Sequence, residues 1–310
     1  MKNQKKAIEY LVNAGVNPLD APIEAKELIK LAKSYVSYDA NDKFNVEHNA
    51  KPETEFETEP EIEFETEPEI EFETELLKLL ELRASGMPLQ YILGEWDFYG
   101  LTFRLGEGVL IPRPETEKLV DVVLEHIKEN KSPMVLDLCA GTGCIGITIA
   151  KLLPFSKVFS IEKSTVAYEY IKHNIALHKV DNVSVFLGDV ITGCNHFVEN
   201  DRLKFDVIVS NPPYIPTFEL DDLQVEVKFE PKMALDGGKD GLIFYRAIKD
   251  RWLSHLKEDG TLVMECGETQ GDEIVSMFSE EGFIANCDFD FAGIKRVVRV
   301  IRQKGSNYSS

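Results

Sequence analysis

The chain has 310 residues, of which 44% are hydrophobic, and it carries a formal net charge of −20. That length allows one large domain or two modest ones, each with its own core. The acidic balance argues against unspecific attraction to nucleic acid or to an anionic membrane surface.

The first forty residues have the apolar spacing of two helices. The segment AIEYLVNAG ends at Gly15, a residue typical of helix ends, and DAPIEAKELIKLAKSYV restarts after the capping residue Asp20. No apolar stretch resembles a secretory signal or approaches the length of a membrane span. We therefore predict helices over residues 4–37, a cytoplasmic location and no membrane contact.

Most of the negative charge lies in one repetitive segment. Residues 52–75 read PETEFETEPEIEFETEPEIEFETE, with twelve Glu and no Lys or Arg, which leaves −8 for the rest of the chain. The octapeptide EFETEPEI occurs at 55–62 and again at 63–70, and Pro60 and Pro68 exclude a continuous helix through both copies. We predict an open, mobile insertion that catalysis does not need, with an acidic arm for a basic partner as the alternative.

The cysteine pattern excludes two kinds of cross-link. The number of cysteines is odd and none forms a C-x-x-C pair, so neither a disulfide framework nor a structural zinc site is expected. We predict no metal site and reduced thiols, as in cytosolic proteins, for Cys139, Cys144, Cys194, Cys266 and Cys287.

From about residue 131 short β-branched runs alternate with helical stretches, which is typical of a parallel sheet covered by helices. The helical stretches include STVAYEYIKHNIALHK (164–179) and GLIFYRAIKDRWLSHLK (241–257). The predicted fold is α/β, a doubly wound sheet that binds its ligand at the carboxyl ends of the strands. The predicted strands are MVLDL (134–138), KVFSI (157–161), VSVFL (183–187), FDVIVS (205–210), TLVMEC (261–266) and RVVRVI (296–301), with one more in FIANCDFD (283–290).

A glycine-rich turn follows the first of these strands. In VLDLCAGTGCIGI the residues Gly141, Gly143 and Gly146 fit the pattern G-x-G-x-x-G, and Asp137 lies at the end of the strand. Glycine allows a sharp turn and a close approach of the backbone to a ligand. By itself this turn indicates a nucleotide-like cofactor without saying which one.

Acidic residues end the next two strands. Glu162 lies nineteen residues after Gly143, where a carboxylate can accept hydrogen bonds from both hydroxyls of a ribose. Asp189 and Val190 end the third strand, where an adenine could lie. Three acids at three successive strand ends favour a bound nucleoside.

The fourth strand ends in Asn211-Pro212-Pro213-Tyr214. Two adjacent prolines cannot extend a sheet, because neither has an N–H to donate. The side-chain carbonyl of Asn211 and the backbone carbonyl of Pro212 are two acceptors that suit a planar NH₂ group, and Tyr214 supplies a flat face. We predict that this segment holds the group on which the enzyme acts.

Taken together, DLCAGTGCIG, Glu162, GDV and NPPY resemble class I S-adenosylmethionine-dependent methyltransferases that modify a planar amino or amide nitrogen. Two further segments are similar to the HemK/PrmC family, the release-factor glutamine methyltransferases. They are GMPLQYILGEWDFYGLTFRLGEGVLIPRPETE (86–117) and FEPKMALDGGKDGLIFYRAI (229–248). The resemblance covers about residues 76–302 and is weaker over residues 4–40.

The resemblance implies a Rossmann-like methyltransferase domain over residues 87–304, with a disordered tail at 305–310. A small N-terminal helical domain over residues 1–86, interrupted by the acidic repeat, would dock the substrate protein. The cofactor loop would comprise Cys139, Ala140, Gly141, Thr142 and Gly143, with Asp137, Asp189 and Asn211 also serving the cofactor. Relatives often have Gly in place of Cys139-Ala140 and Asp in place of Glu162.

Of the remaining residues, the resemblance implies that some bind the cofactor and others bind the substrate. Glu162 would bind the ribose of S-adenosylmethionine, and Val190 would lie beside its adenine. Asn211, Pro212 and Tyr214 would be catalytic, and together with Pro213 they would hold the substrate glutamine.

The implied reaction methylates the side-chain amide of the glutamine in the GGQ motif of peptide chain release factors. Its products are N5-methylglutamine and S-adenosylhomocysteine, and the expected enzyme is a monomer without direct nucleic-acid contacts. Four alternatives stay open: an adenine-N6 nucleic-acid methyltransferase, a ribosomal-protein glutamine methyltransferase, an NAD-dependent dehydrogenase and a non-enzymatic acidic binding module. A nucleic-acid enzyme would need a basic groove, which the sequence does not indicate.

Overall fold

The computed structural model describes residues 2–43, 67–198, 203–279 and 282–302. The chain divides into two compact units, residues 1–93 and residues 94–310, rather than at the predicted boundary between residues 86 and 87. Among the described residues, no helix combines the length and the apolar character that crossing a membrane requires. The predicted tail at 305–310 lies outside these ranges.

The N-terminal unit consists of helices, as the sequence predicts. They are α1 (Lys2–Asn13), α2 (Ala21–Lys43), α3 (Glu67–Ala84) and α4 (Leu89–Leu93). Helix α1 ends just before Gly15, whose φ of 94° lies in the left-handed region that glycine adopts easily. Leu11 and Leu28 are fully buried, and the buried side chain of Arg83 donates two hydrogen bonds to Glu24, at 2.7 and 3.1 Å.

The structure corrects one part of the prediction for the acidic repeat. Residues 67–75, expected to be open, form the first half of α3, while residues 52–66 lie outside the described ranges. Pro68 is the second residue of α3, in the first turn, where a helix does not need the N–H that proline lacks. The helix is stabilised further along, where Leu76, Leu79 and Leu80 are buried.

The C-terminal unit is built on a seven-stranded sheet in the order β5-β4-β3-β6-β7-β9-β8. Strands β3 to β7 are parallel, and β9 is antiparallel to both of its neighbours. The order reverses between β3 and β6, so the doubly wound prediction is confirmed and a ligand crevice is expected there. The strands are β3 (Met134–Leu138), β4 (Lys157–Glu162), β5 (Val183–Leu187), β6 (Phe205–Ser210), β7 (Leu256–Glu265), β8 (Phe283–Phe289) and β9 (Lys295–Arg302).

Two buried apolar clusters hold the helices against this sheet. Central strand residues such as Leu136 and Val263 are fully buried, because both faces of a parallel sheet are covered. The helices of this unit are α5 (Glu117–Ile127), α6 (Cys144–Leu152), α7 (Thr165–His178), α8 (Asn195–Val198), α9 (Lys232–Leu235), α10 (Ile243–Ala247) and α11 (Gly271–Phe278).

Two features differ from the sequence-based expectation. A hairpin of β1 (Glu95–Phe98) and β2 (Leu101–Arg104) was not predicted. The helix predicted over 241–257 breaks up, because α10 continues as one π turn over Ile248–Trp252 and a 3-10 turn over Leu253–His255 before β7 begins.

Candidate active site

The glycine-rich turn between β3 and α6 takes the conformation that its sequence predicts. Gly141 and Gly143 have φ angles of 58° and 80°, in the left-handed region. Cys139, with φ of 60°, also lies there, in a conformation that residues with a side chain rarely adopt. A Cβ on Gly143 would come within 2.9 Å of Ile147 Cδ1, so the Ile147 side chain would have to shift, and the backbone angle favours glycine at that position.

Glu162 at the end of β4 fixes this turn. Its Oε2 accepts from the Gly141 N–H at 2.8 Å, and its Oε1 accepts from the Ser164 N–H at 2.7 Å. Burial raises the pKa of Glu162, and the backbone hydrogen bonds oppose that shift. Since each carboxylate oxygen has further acceptor capacity, Glu162 can also accept hydrogen bonds from a bound ligand.

A cavity of about 610 Å³, here called cavity 1, lies between the turn and the ends of β4, β5 and β6. The predicted residues that line it are Cys139, Gly141, Glu162, Asp189, Val190, Asn211 and Pro213. A carboxylate facing an otherwise largely apolar wall is the arrangement that suits a nucleoside.

Four residues predicted to bind the cofactor do not line cavity 1: Asp137, Ala140, Thr142 and Gly143. Asp137 is fully buried, and its Oδ2 accepts from the Gly146 N–H at 3.1 Å. Burial raises the pKa of Asp137 to about 8. Asp137 therefore holds the first turn of α6.

A second cavity of about 620 Å³, here called cavity 2, lies on the other side of Asn211. Three of the four NPPY residues line it, namely Asn211, Pro212 and Tyr214, while Pro213 lines cavity 1. Asn211 lines both cavities and therefore lies where a group in one could meet a group in the other. Burial raises the pKa of the Tyr214 hydroxyl well above its ordinary value, so it stays protonated at neutral pH.

The polar wall of cavity 2 includes residues that the sequence analysis did not single out. Asn211 Nδ2 donates to Thr116 Oγ1 at 3.0 Å, and that hydroxyl donates to Glu265 Oε2 at 2.6 Å. Arg113 also lines cavity 2 and pairs with the buried carboxylate of Glu230. Glu265 could have been found, because it lies at the carboxyl end of a predicted strand, where ligands bind in such sheets.

Several known proteins are similar to this chain. The family model "Methyltransferase small domain" matches residues 115–227. A release factor glutamine methyltransferase from Thermodesulfovibrio yellowstonii is 42% identical over 230 residues, which is 73% of this chain and 80% of that protein. One from Fusobacterium nucleatum subsp. nucleatum is 35% identical over 299 residues, which is 94% of this chain and 76% of that protein.

Among solved structures, the hMettl16 catalytic domain in complex with the MAT2A 3'UTR hairpin 6 matches with a TM-score of 0.53. The match covers 74% of this chain and 84% of that one, at 15% identity. At that level of identity the match shows the fold alone.

Proposed function

The chain belongs to the release factor glutamine methyltransferase family, and we propose that it methylates the side-chain amide nitrogen of a glutamine in a peptide chain release factor. It is an S-adenosylmethionine-dependent methyltransferase, as its family is. The geometric observation that supports the proposed substrate best is the position of Asn211 in the walls of both cavities.

Cavity 1 fits S-adenosylmethionine by the chemistry of its lining. Glu162 would accept hydrogen bonds from the ribose hydroxyls, and the buried side chain of Val190 would pack beside the adenine. The left-handed backbone at Gly141 leaves open space where a side chain would stand, so the main chain there is accessible to a ligand. When bound, S-adenosylmethionine supplies an electrophilic methyl group.

Cavity 2 would receive the glutamine side chain. An amide nitrogen is a weak nucleophile, because its lone pair is delocalised into the carbonyl. Asn211 Oδ1 and the Pro212 carbonyl would each accept one N–H of the substrate amide, which orients the nitrogen and increases its electron density. Tyr214 would pack on the flat amide group, since it is a partly buried aromatic side chain in the wall of cavity 2.

The chemistry assigned to the chain is positioning and electrostatic stabilisation. The nitrogen would gain a bond to the methyl carbon as the bond from that carbon to sulfur breaks, with the electron pair leaving on S-adenosylhomocysteine. The nitrogen would also lose one proton, which passes to water because a protonated amide is a strong acid. No general base is needed at that step. Alignment by Asn211 and Pro212 is therefore the main contribution of the NPPY segment to the rate.

The proposed function is tested by incubating the full chain with labelled S-adenosylmethionine and a purified release factor, followed by mass mapping of the modified residue. We expect one methyl group on the glutamine of the GGQ motif. A ribosomal protein with a candidate glutamine and an adenine-containing oligonucleotide serve as competing substrates. Label on either of these and none on the release factor would contradict the proposal.

We further propose a monomeric, cytoplasmic enzyme that makes no direct nucleic-acid contacts and whose helical N-terminal unit docks the release factor. The five cysteines are free in the structure, which supports a reducing compartment. The −8 charge outside the repeat supports the absence of nucleic-acid contacts. Sedimentation and filter-binding measurements test the oligomeric state and the nucleic-acid prediction.

A further inference from the structure

Three residues far apart in the sequence form a hydrogen-bond chain beside cavity 2. The Thr116 hydroxyl lies between the side-chain amide of Asn211, at 3.0 Å, and the carboxylate of Glu265, at 2.6 Å. Thr116 precedes α5, Asn211 follows β6 and Glu265 ends β7. Thr116 and Glu265 are each 2% exposed, so bulk water does not replace either hydrogen bond.

The number of protons available fixes the direction of both hydrogen bonds. A hydroxyl has one proton, and an ionised carboxylate can only accept. Thr116 therefore gives its proton to Glu265 and has only lone pairs left for Asn211. The Asn211 amide must then turn its NH₂ group toward Thr116, because the opposite orientation would place two acceptors against each other.

This orientation leaves Asn211 Oδ1 as the atom available to a substrate. No described residue donates a hydrogen bond to that oxygen. We propose that Thr116 and Glu265 are positioning residues, which hold the Asn211 amide in the one orientation that presents its carbonyl to the substrate glutamine. This role deepens the proposed function and rests on it.

The protonation state of Glu265 decides whether the hydrogen bonds from Asn211 through Thr116 to Glu265 have one fixed direction. Burial raises the pKa of Glu265 to about 7, whereas the hydrogen bond from Thr116 and the positive charges of Arg296 and Arg113 act to lower it. Glu115 raises that pKa further, and the neighbouring Tyr214 is neutral. Once protonated, Glu265 can donate to Thr116, which then has its own proton for Asn211 Oδ1, and both amide orientations become possible. The rate should therefore fall as the pH drops below about 7.

The first test compares Thr116→Val with Thr116→Ser. Turnover is measured on a short Gly-Gly-Gln peptide with saturating S-adenosylmethionine, and S-adenosylhomocysteine affinity is measured by calorimetry. We expect T116V to lower kcat about tenfold or more, with S-adenosylhomocysteine affinity unchanged, and T116S to restore most of the lost rate. Thr148→Val is the matched control, because Thr148 is also buried and its hydroxyl has no hydrogen-bond partner among the described residues.

The second test is the pH dependence of kcat in Glu265→Gln. A glutamine at this position can accept from Thr116 or, through its NH₂ group, donate to it, and it does not ionise near neutral pH. The wild-type rate should decline below about pH 7, while E265Q should lack that decline. Thermal denaturation of each variant separates loss of the fold from loss of alignment.

The outcomes separate this role from the proposed function. An active wild-type enzyme with T116V equally active, or an acid decline that persists unchanged in E265Q, overturns the positioning role and leaves the proposed function standing. A wild-type enzyme that is inactive on both the peptide and intact release factors overturns both.

Discussion

Cavities 1 and 2 share Asn211 but are built in different ways. The acidic residues of cavity 1 come from consecutive strand ends, and Glu162 is twenty-one residues from the Gly141 N–H that it binds. In the polar wall of cavity 2, Thr116 contacts Asn211, which is 95 positions away in the sequence, and Glu265, which is 149 positions away. The cofactor side therefore depends on a local pattern, whereas the substrate side depends on long-range folding.

Replacement of Asn211 should distinguish the role of cavity 2 in turnover from the role of cavity 1 in cofactor binding most clearly. Asn211→Ala removes one of the two acceptors proposed for the substrate amide, and we expect kcat to fall on the order of a hundredfold or more. S-adenosylhomocysteine affinity should stay within about threefold of wild type, because Glu162 and the turn are untouched. Turnover assays and calorimetry measure the two effects. Asn286→Ala, on the exposed face of β8, is the control, and near wild-type turnover in N211A would contradict the assigned role.

The opposite pattern is expected for Glu162→Ala. A nearly buried carboxylate makes charge-assisted hydrogen bonds of about 1.5–3 kcal/mol each, so calorimetry should show S-adenosylhomocysteine affinity reduced about tenfold to a hundredfold. The rate at saturating cofactor should change less than in N211A. Glu169→Ala is the control, because Glu169 pairs with Lys172 on the exposed surface of α7. Unchanged affinity in E162A would mean that cavity 1 is not the cofactor site.

A substitution that strains the backbone tests how the two cavities differ, since cavity 1 depends on main-chain conformation. Gly143→Ala adds a Cβ at φ of 80° and within 2.9 Å of Ile147 Cδ1. We expect a loss of about 1–3 kcal/mol in the free energy of unfolding, with weaker S-adenosylhomocysteine binding.

Gly293→Ala is the matched control for G143A. Gly293 has nearly the same φ, 79°, but a Cβ there would meet no atom within 4 Å. Urea denaturation should show a smaller loss of stability, and calorimetry should show normal S-adenosylhomocysteine binding. Equal losses in both variants would mean that the contact with Ile147 contributes nothing.

The smallest effect is expected for a change that reaches neither cavity. The described residues that line both cavities all lie from Gly108 onward, so a short Gly/Ser linker in place of residues 52–66 should leave methylation of a free peptide unchanged. Extending the replacement through residue 75 should destabilise the N-terminal unit, because it removes the first half of α3. Thermal denaturation distinguishes the two variants, and loss of peptide methylation in the shorter one would show that catalysis requires the segment.

The parts of the molecule that could be predicted from the sequence are those with a local cause. β-branched runs identify β3 to β6 closely, and the strand-end rule finds Glu162 and Asn211. The β1–β2 hairpin escaped prediction because its strands have four residues each, although its Tyr99-Gly100 turn has positive φ at both positions. The hydrogen bonds of Thr116 depend on three segments that only the folded sheet brings together.

The start of α3 inside the repeat has a consequence for the evolution of this gene. Each complete octapeptide carries its proline at the same place, so removal or addition of a whole copy leaves the sequence from Glu67 through Glu75 in front of Leu76 unchanged. Slippage of the replication machinery over whole octapeptide units therefore alters the length of the segment while preserving the helix that follows it.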